Sequence, residues 1–124
     1  MKTFSKSERL CGKVSIDELM ANGKSFNNFP FRVTWAETSR PKEPAKMMIS
    51  VPKRLFKKAI ERNRLKRLIR EGYRHNKHIL IDRLNSKKIN FLIVYTSKKI
   101  IDSKELNERM VGILQQLADK IGVQ

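Results

Sequence analysis

Residues 53–77, KRLFKKAIERNRLKRLIREGYRHNK, constrain this chain more than any other stretch. They hold eleven Lys or Arg against two acids, Glu61 and Glu71, so a surplus of nine out of a formal net charge of +16 lies in a fifth of the 124 residues. The run is nevertheless patterned. Leu65, Leu68, Ile69, Gly72 and Tyr73 recur at the spacing of one helix face. Asn63, Arg67, Arg70 and Arg74 form a stripe on the far side, flanked by Arg64 and Lys66. The spacing predicts a helix over about 54–75 that docks by one face and shows a cationic face to solvent. Solvated helix faces usually intersperse acids so that i,i+4 pairs form. Here neighbouring turns repeat like charges, and the helix calls for an anionic partner.

A chain of this length is one domain, 1–124, with material for one modest core. A pI near 10.4 points to a polyanion, and nucleic acid is the first reading. A membrane surface fits less well. The start, MKTFSKSERL, has no apolar signal core, and no run approaches a membrane-spanning length. The lone Cys11 excludes a disulfide within the chain and any all-Cys metal site. A reduced thiol and a cytoplasmic setting are expected.

Taken in order, residues 1–13 read as a basic, extended arm. Ser15-Ile16-Asp17-Glu18 fits a capping box, with Val14 and Leu19 placed as a hydrophobic staple. Gly23 is expected to close that short helix, about 15–22, as a left-handed residue. Lys24–Phe29 is a loop or a short edge strand. Residues 31–37 alternate, with Phe31, Val33 and Trp35 on one face and Arg32 and Thr34 on the other. The polar stretch Thr38–Pro44 suits a hairpin turn into a return strand, Lys46–Val51. That strand has Met48 and Ser50 opposite Met47, Ile49 and Val51, and Pro52 ends it. After the basic helix, His78–Asn85 reads as a short helical turn. Ile89–Tyr95, almost wholly apolar, reads as a central strand. Asp102 and Glu105 cap a last helix whose Leu106, Met110, Ile113, Leu114, Leu117 and Ile121 form one apolar face. The fold expected is α+β, a two-layer α/β sandwich with a small mixed sheet. If the strands flanking the basic helix are parallel neighbours, their crossover should be right-handed on general grounds.

The chemistry follows from residue types. Arginine suits two-pronged phosphate contacts, and Asn63 among arginines suits a base edge, a 2′-OH or a hydrated metal ion. Helix-turn-helix DNA readers are all-helical, so the strands argue against one. Structured RNA, recognised by shape and backbone, fits better. Metal-assisted phosphodiester cleavage needs clustered carboxylates, but the twelve acids are scattered, and His75 and His78 have no evident third ligand. No Ser-His-Asp set, Gly-rich phosphate loop or zinc spacing occurs. The residues describe a binder, with no metal set of its own. A second surface carries Arg32, Thr34, Met48 and Ser50, walled by Ile16 and Met20. This mixed trough suits single-stranded nucleic acid.

Ser50-Val-Pro-Lys-Arg54, followed by Lys57-Lys-Ala-Ile-Glu-Arg62-Asn63-Arg64-Leu-Lys66-Arg67-Leu-Ile-Arg70-Glu-Gly-Tyr-Arg74, closely resembles the signature of the bacterial ribonuclease P protein component. The resemblance covers nearly the whole chain, from Arg9-Leu10 to the last helix. It implies a left-handed β-α-β crossover carrying the basic helix, against the general expectation. It also implies a ribonucleoprotein in which a catalytic RNA with bound Mg²⁺ frees the mature 5′ end of tRNA. Arg62, Asn63, Arg64, Lys66, Arg67 and Arg70 would face that RNA, with Lys53, Arg54, Lys57, Lys58 and Arg74 extending the surface. The trough of Ile16, Met20, Arg32, Thr34, Met48 and Ser50 would hold the single-stranded 5′ leader of precursor tRNA. A monomer in a 1:1 particle with the RNA is expected. Two departures stand out: Ile16 and Met20 occupy positions where the family often has aromatics, and Pro52 one where it usually has a small residue. Two rival readings are a structural RNA-binding protein of the ribosomal type and a protein-only nuclease built from scattered acids.

Overall fold

The computed structural model describes residues 8–10, 13–38 and 44–122. In chain order the elements are α1 (Lys13–Asn22), β1 (Lys24–Asn28), β2 (Phe31–Glu37), β3 (Ala45–Ser50), α2 (Ala59–Asn76), α3 (His78–Ile81), β4 (Ile89–Tyr95) and α4 (Ser103–Gly122). The architecture is α+β around a four-stranded mixed sheet ordered β1-β2-β4-β3. β4 runs antiparallel to β2 and parallel to β3.

The expected hairpin between β2 and β3 does not form, because β4 lies between them. The reason is burial. Six of the seven β4 residues are buried, on both faces of the sheet, and only a central strand is covered on both sides. β3, half-buried at four of its six positions, takes the outer place. Its outer edge is met by the N-terminal arm. Arg9 bridges to Met47 in parallel fashion, and the Leu10 N–H donates to the Met47 carbonyl at 2.9 Å. Lys77, between α2 and α3, donates to the Glu8 carboxylate at 2.9 Å and pins the arm to the helical side. The expected arm is thus seen at residues 8–10; residues 1–7 and 11–12 lie outside the described residues.

Alternation sorts the two faces of the sheet. Phe31, Val33, Trp35, Met47, Phe91, Ile93 and Tyr95 join Leu65, Ile69 and Tyr73 of α2 and the apolar face of α4 in the main core. On the reverse face, Leu92 packs with Leu10 and with Leu19 of α1, bordered by Ile16, Ala36, Met48 and Val94.

Three boundaries differ from expectation. α1 starts at Lys13, so Ser15 stands in its first turn and not at its N-cap. Gly23 is not left-handed. Its N–H bonds the Leu19 carbonyl at 2.8 Å, and a Cβ there would collide with that same oxygen and lie 2.8 Å from Thr34 Cγ2. Glycine is needed for close approach, to the end of α1 and to β2, and not for its dihedral freedom. α2 starts at Ala59, not near 54. The N–H groups of Leu55 and Phe56 both bond the Pro52 carbonyl, at 3.1 and 3.3 Å, and this turn drops Phe56 into the core. Burying that ring is worth about 2–3 kcal/mol, which outweighs an extra turn of exposed basic helix. α4 begins as its sequence indicates, with Asp102 Oδ1 accepting from the Glu105 N–H at 2.8 Å.

Tyr73 is fully buried. Desolvation pushes its phenol well above the usual range, and the Glu8 carboxylate adds to this. The unfolded chain ionises near pH 10 while the folded chain keeps the proton. Above that pH the unfolded state therefore binds fewer protons, and stability falls as pH rises. Relative to Tyr73→Phe, the wild type should lose stability above about pH 10, approaching ~1.4 kcal/mol per pH unit. Urea unfolding of both proteins across that range checks this. Parallel curves would clear the phenol of the effect.

Candidate nucleic-acid interface

α2 is held from below by four buried residues, Leu65, Ile69, Gly72 and Tyr73. The Tyr73 ring meets Phe91 of β4 edge-to-face at 5.7 Å. At Gly72 the missing side chain admits α4, since a Cβ would stand 3.1 Å from Leu106 Cδ2. Fixed along this line, the helix has no freedom to turn its charges inward. Asn63, Arg64 and Arg67 are exposed, while Lys66, Arg70 and Arg74 are half-buried. Lys53, Arg54, Lys57 and Lys58 are exposed on the preceding turn. All eleven positions expected to face RNA therefore lie on one helix and the turn that feeds it.

They are not equivalent. Arg62 Nη1 donates to the carbonyls of Phe56 and Lys57 at 2.8 and 2.9 Å. It fastens the turn to the helix and so fixes where Lys53–Lys58 stand. Recognising this role required the helix start at Ala59, which the charge pattern hides. Arg74 donates to Glu71 at 2.7 Å, and His75 lies 3.7 Å from the same carboxylate. The Arg74 hydrogen bond is the leading cause that holds the Glu71 carboxyl below its usual range. Among the described residues, Arg64, Lys66, Arg67 and Arg70 form no ion pair. Four cations on one rigid helix, none of them paired with a carboxylate among the described residues, repel one another, and a bound polyanion would reverse this.

The reverse face of the sheet carries the other predicted set. Register aligns Arg32 with Val94 and Ser50, and Thr34 with Leu92 and Met48. The β2 and β3 residues are thus not neighbours. β4 separates them, and Leu92 and Val94, which the sequence reading missed, form the floor between. Only the long-range pairing reveals them. Arg32 is exposed; Thr34 is buried, its hydroxyl 2.9 Å from that of Ser25. Met48 and Ser50 are half-buried. Ile16 packs against the cluster of Leu10, Leu19 and Leu92, whereas Met20 stands open at the trough's edge. Among the described residues no three His, Cys, Asp or Glu gather as metal ligands. No helix there is long and apolar enough to cross a membrane.

Residues 4–118 match the family model for ribonuclease P. A Porphyromonas gingivalis ribonuclease P protein component is 36% identical over 121 residues, spanning 95% of this chain and 88% of that relative. The fold is shared with the RNase P protein from Thermotoga maritima, with a TM-score of 0.72 at 24% identity, covering 88% of this chain and 96% of that one. It is shared equally with the Staphylococcus aureus RNase P protein, with a TM-score of 0.74 at 20% identity, covering 90% and 96%. The ribosomal-type alternative gives way to these matches, and the chain belongs to the ribonuclease P protein family, as a protein subunit of that endoribonuclease.

Proposed function

We propose that the cationic face of α2, with the turn 53–58, binds the catalytic RNA of ribonuclease P, and that the reverse face of the sheet receives the 5′ leader of precursor tRNA. The observation that carries the first half is that Arg64, Lys66, Arg67 and Arg70, held on one rigid helix, form no ion pair among the described residues. Such a row neutralises phosphates where RNA strands converge, and so lowers the Mg²⁺ needed to fold and operate the RNA. Hydrolysis is assigned to that RNA with its bound Mg²⁺. Asn63, exposed among the arginines, can bond a 2′-OH or a base edge at the same surface. The trough supports the second half, with the Arg32 cation beside an apolar floor and the open Met20. A tRNA body is double-stranded and rigid, while a leader is single-stranded, so this trough favours precursor over mature tRNA. The particle is a cytoplasmic complex of one protein with one RNA.

The test is 5′ processing of a precursor tRNA by a bacterial ribonuclease P RNA at low Mg²⁺, with this protein or an equally basic unrelated one. Cleavage is expected only with this protein and the RNA together. Cleavage by the protein alone would establish an autonomous nuclease, and equal stimulation by the control would reduce α2 to generic charge.

A further inference from the structure

Among the described residues three large hydrophobic side chains stand open: Met20, Phe29 and Ile60, exposed by 60, 67 and 76%. Isolated exposed apolar residues are common, but the placing of these is not scattered. Ile60 lies one turn before Arg64 on the cationic helix, and Met20 borders the trough. Both fall on surfaces assigned above to RNA. Phe29 stands apart, on the β1–β2 turn, and that turn is tightly held. The Pro30 carbonyl accepts from the Thr96 N–H at 2.8 Å, and the Asn28 amide donates to Gln116 of α4 at 3.1 Å.

Through Thr96 the turn is joined to the segment leaving β4, which carries the exposed Lys98 and Lys99. That segment is held in turn. The Tyr95 hydroxyl donates to the Lys99 carbonyl at 2.5 Å, and the Lys99 N–H donates to Ser97 Oγ at 3.1 Å. The β1–β2 turn lies at the end of the sheet where Arg32, Val94 and Ser50 of the trough are in register. An exposed ring on a fixed turn, with two exposed cations on the adjoining backbone segment, thus stands at the end of the sheet where the trough has its last rung.

We propose that Phe29 is a stacking platform for one unpaired base of the precursor's 5′ leader as it leaves the trough, with Lys98 and Lys99 on the adjoining phosphates. Base faces stack on aromatic rings with little regard to sequence, and cations beside them follow the backbone. The platform therefore reads the length of the leader and not its sequence. It rests on the leader reading given above.

The experiment compares holoenzymes carrying wild-type protein, Phe29→Ala, Phe29→Leu or Phe29→Trp. Each is titrated with precursor tRNAs bearing a long leader or a leader of a single nucleotide. 2-Aminopurine is placed in turn along the long leader. Phe29→Ala should bind the long-leader substrate about five-fold or more weakly, the equivalent of one lost stack. It should bind the short-leader substrate as the wild type does. Phe29→Trp should restore binding and Phe29→Leu should not, and 2-aminopurine should be quenched at one position in wild type but not in Phe29→Ala. Equal losses on both substrates would place the ring on the catalytic RNA and overturn the proposal. Rescue by leucine, or a Phe29-dependent self-association of the protein, would overturn it too. If the wild type itself ignores leader length, the leader reading fails. If it distinguishes the two and Phe29→Ala changes nothing, the platform alone fails.

Discussion

Phe91→Ala should destabilise the protein by about 3–5 kcal/mol, the cost of truncating a fully buried aromatic in a core that cannot collapse around it. Phe91 sits on the central strand, in register with Trp35 on one side and Met47 on the other, with no exposure. Its ring is also the surface against which Tyr73 packs, so an edge-to-face contact goes with it. A loss of that size is a large part of a small domain's total stability and should lower Tm by roughly ten degrees or more. Function should suffer in a particular way. α2 would lose its support before any RNA-facing residue was touched, so RNA affinity should fall with no basic residue altered. Thermal unfolding and RNA titration of the same variant test both statements. A loss of under about 1 kcal/mol would mean that the α2–sheet contact is not where the fold is held.

Arg64→Ala combined with Arg67→Ala should weaken binding of ribonuclease P RNA by about tenfold or more for each residue, as for lost hydrogen bonds to charged groups. The slope of log affinity against log salt should flatten by about one unit per lost phosphate contact. Neither arginine supports the fold: both are exposed, and neither is in an ion pair among the described residues. The control is Arg83→Ala, which removes a cation paired at 2.7 Å with Asp119 on the α3–α4 side. A salt slope lowered as much by Arg83→Ala as by either α2 arginine would show that net charge matters and the helix face does not. An unchanged slope in the double variant would remove α2 from the RNA interface.

What was legible in the sequence was what local chemistry decides. Ile89–Tyr95 reads as a central strand because a run apolar at every position but Asn90 has no other place. Phe31–Glu37 read as a strand from its alternation, and Asp102 as a cap from its spacing to Glu105. The failures share one cause, which is that they depend on residues far apart in the chain. A polar turn between two strands suggests a β2–β3 hairpin, yet both strands pair with β4, which begins some forty residues after β3 ends. Sequence suggests a left-handed cap at Gly23, whereas its constraint is close approach, to the Leu19 carbonyl of α1 and to Thr34 of β2. Charge and periodicity suggest an earlier start for α2, and both are blind to Phe56 turning into the core. The basic residues of α2 and its preceding turn are readable as a set, because charge needs no tertiary context. The division of labour within the set is not, since Arg62 is fixed by carbonyls that only the turn brings near.

The order β1-β2-β4-β3 also sets a schedule for the newborn chain. While β1, β2 and β3 have emerged from the ribosome and β4 has not, the strands that will flank β4 have nothing between them. Tyr95, which pairs with Phe31, must leave the ribosome before the sheet can close. By then all of α2 is already out, with its eighteen residues and without the completed sheet to rest on. A strongly cationic nascent segment is thus presented amid ribosomal RNA before its fold exists, and one late strand both completes the sheet and withdraws the helix to its proper seat.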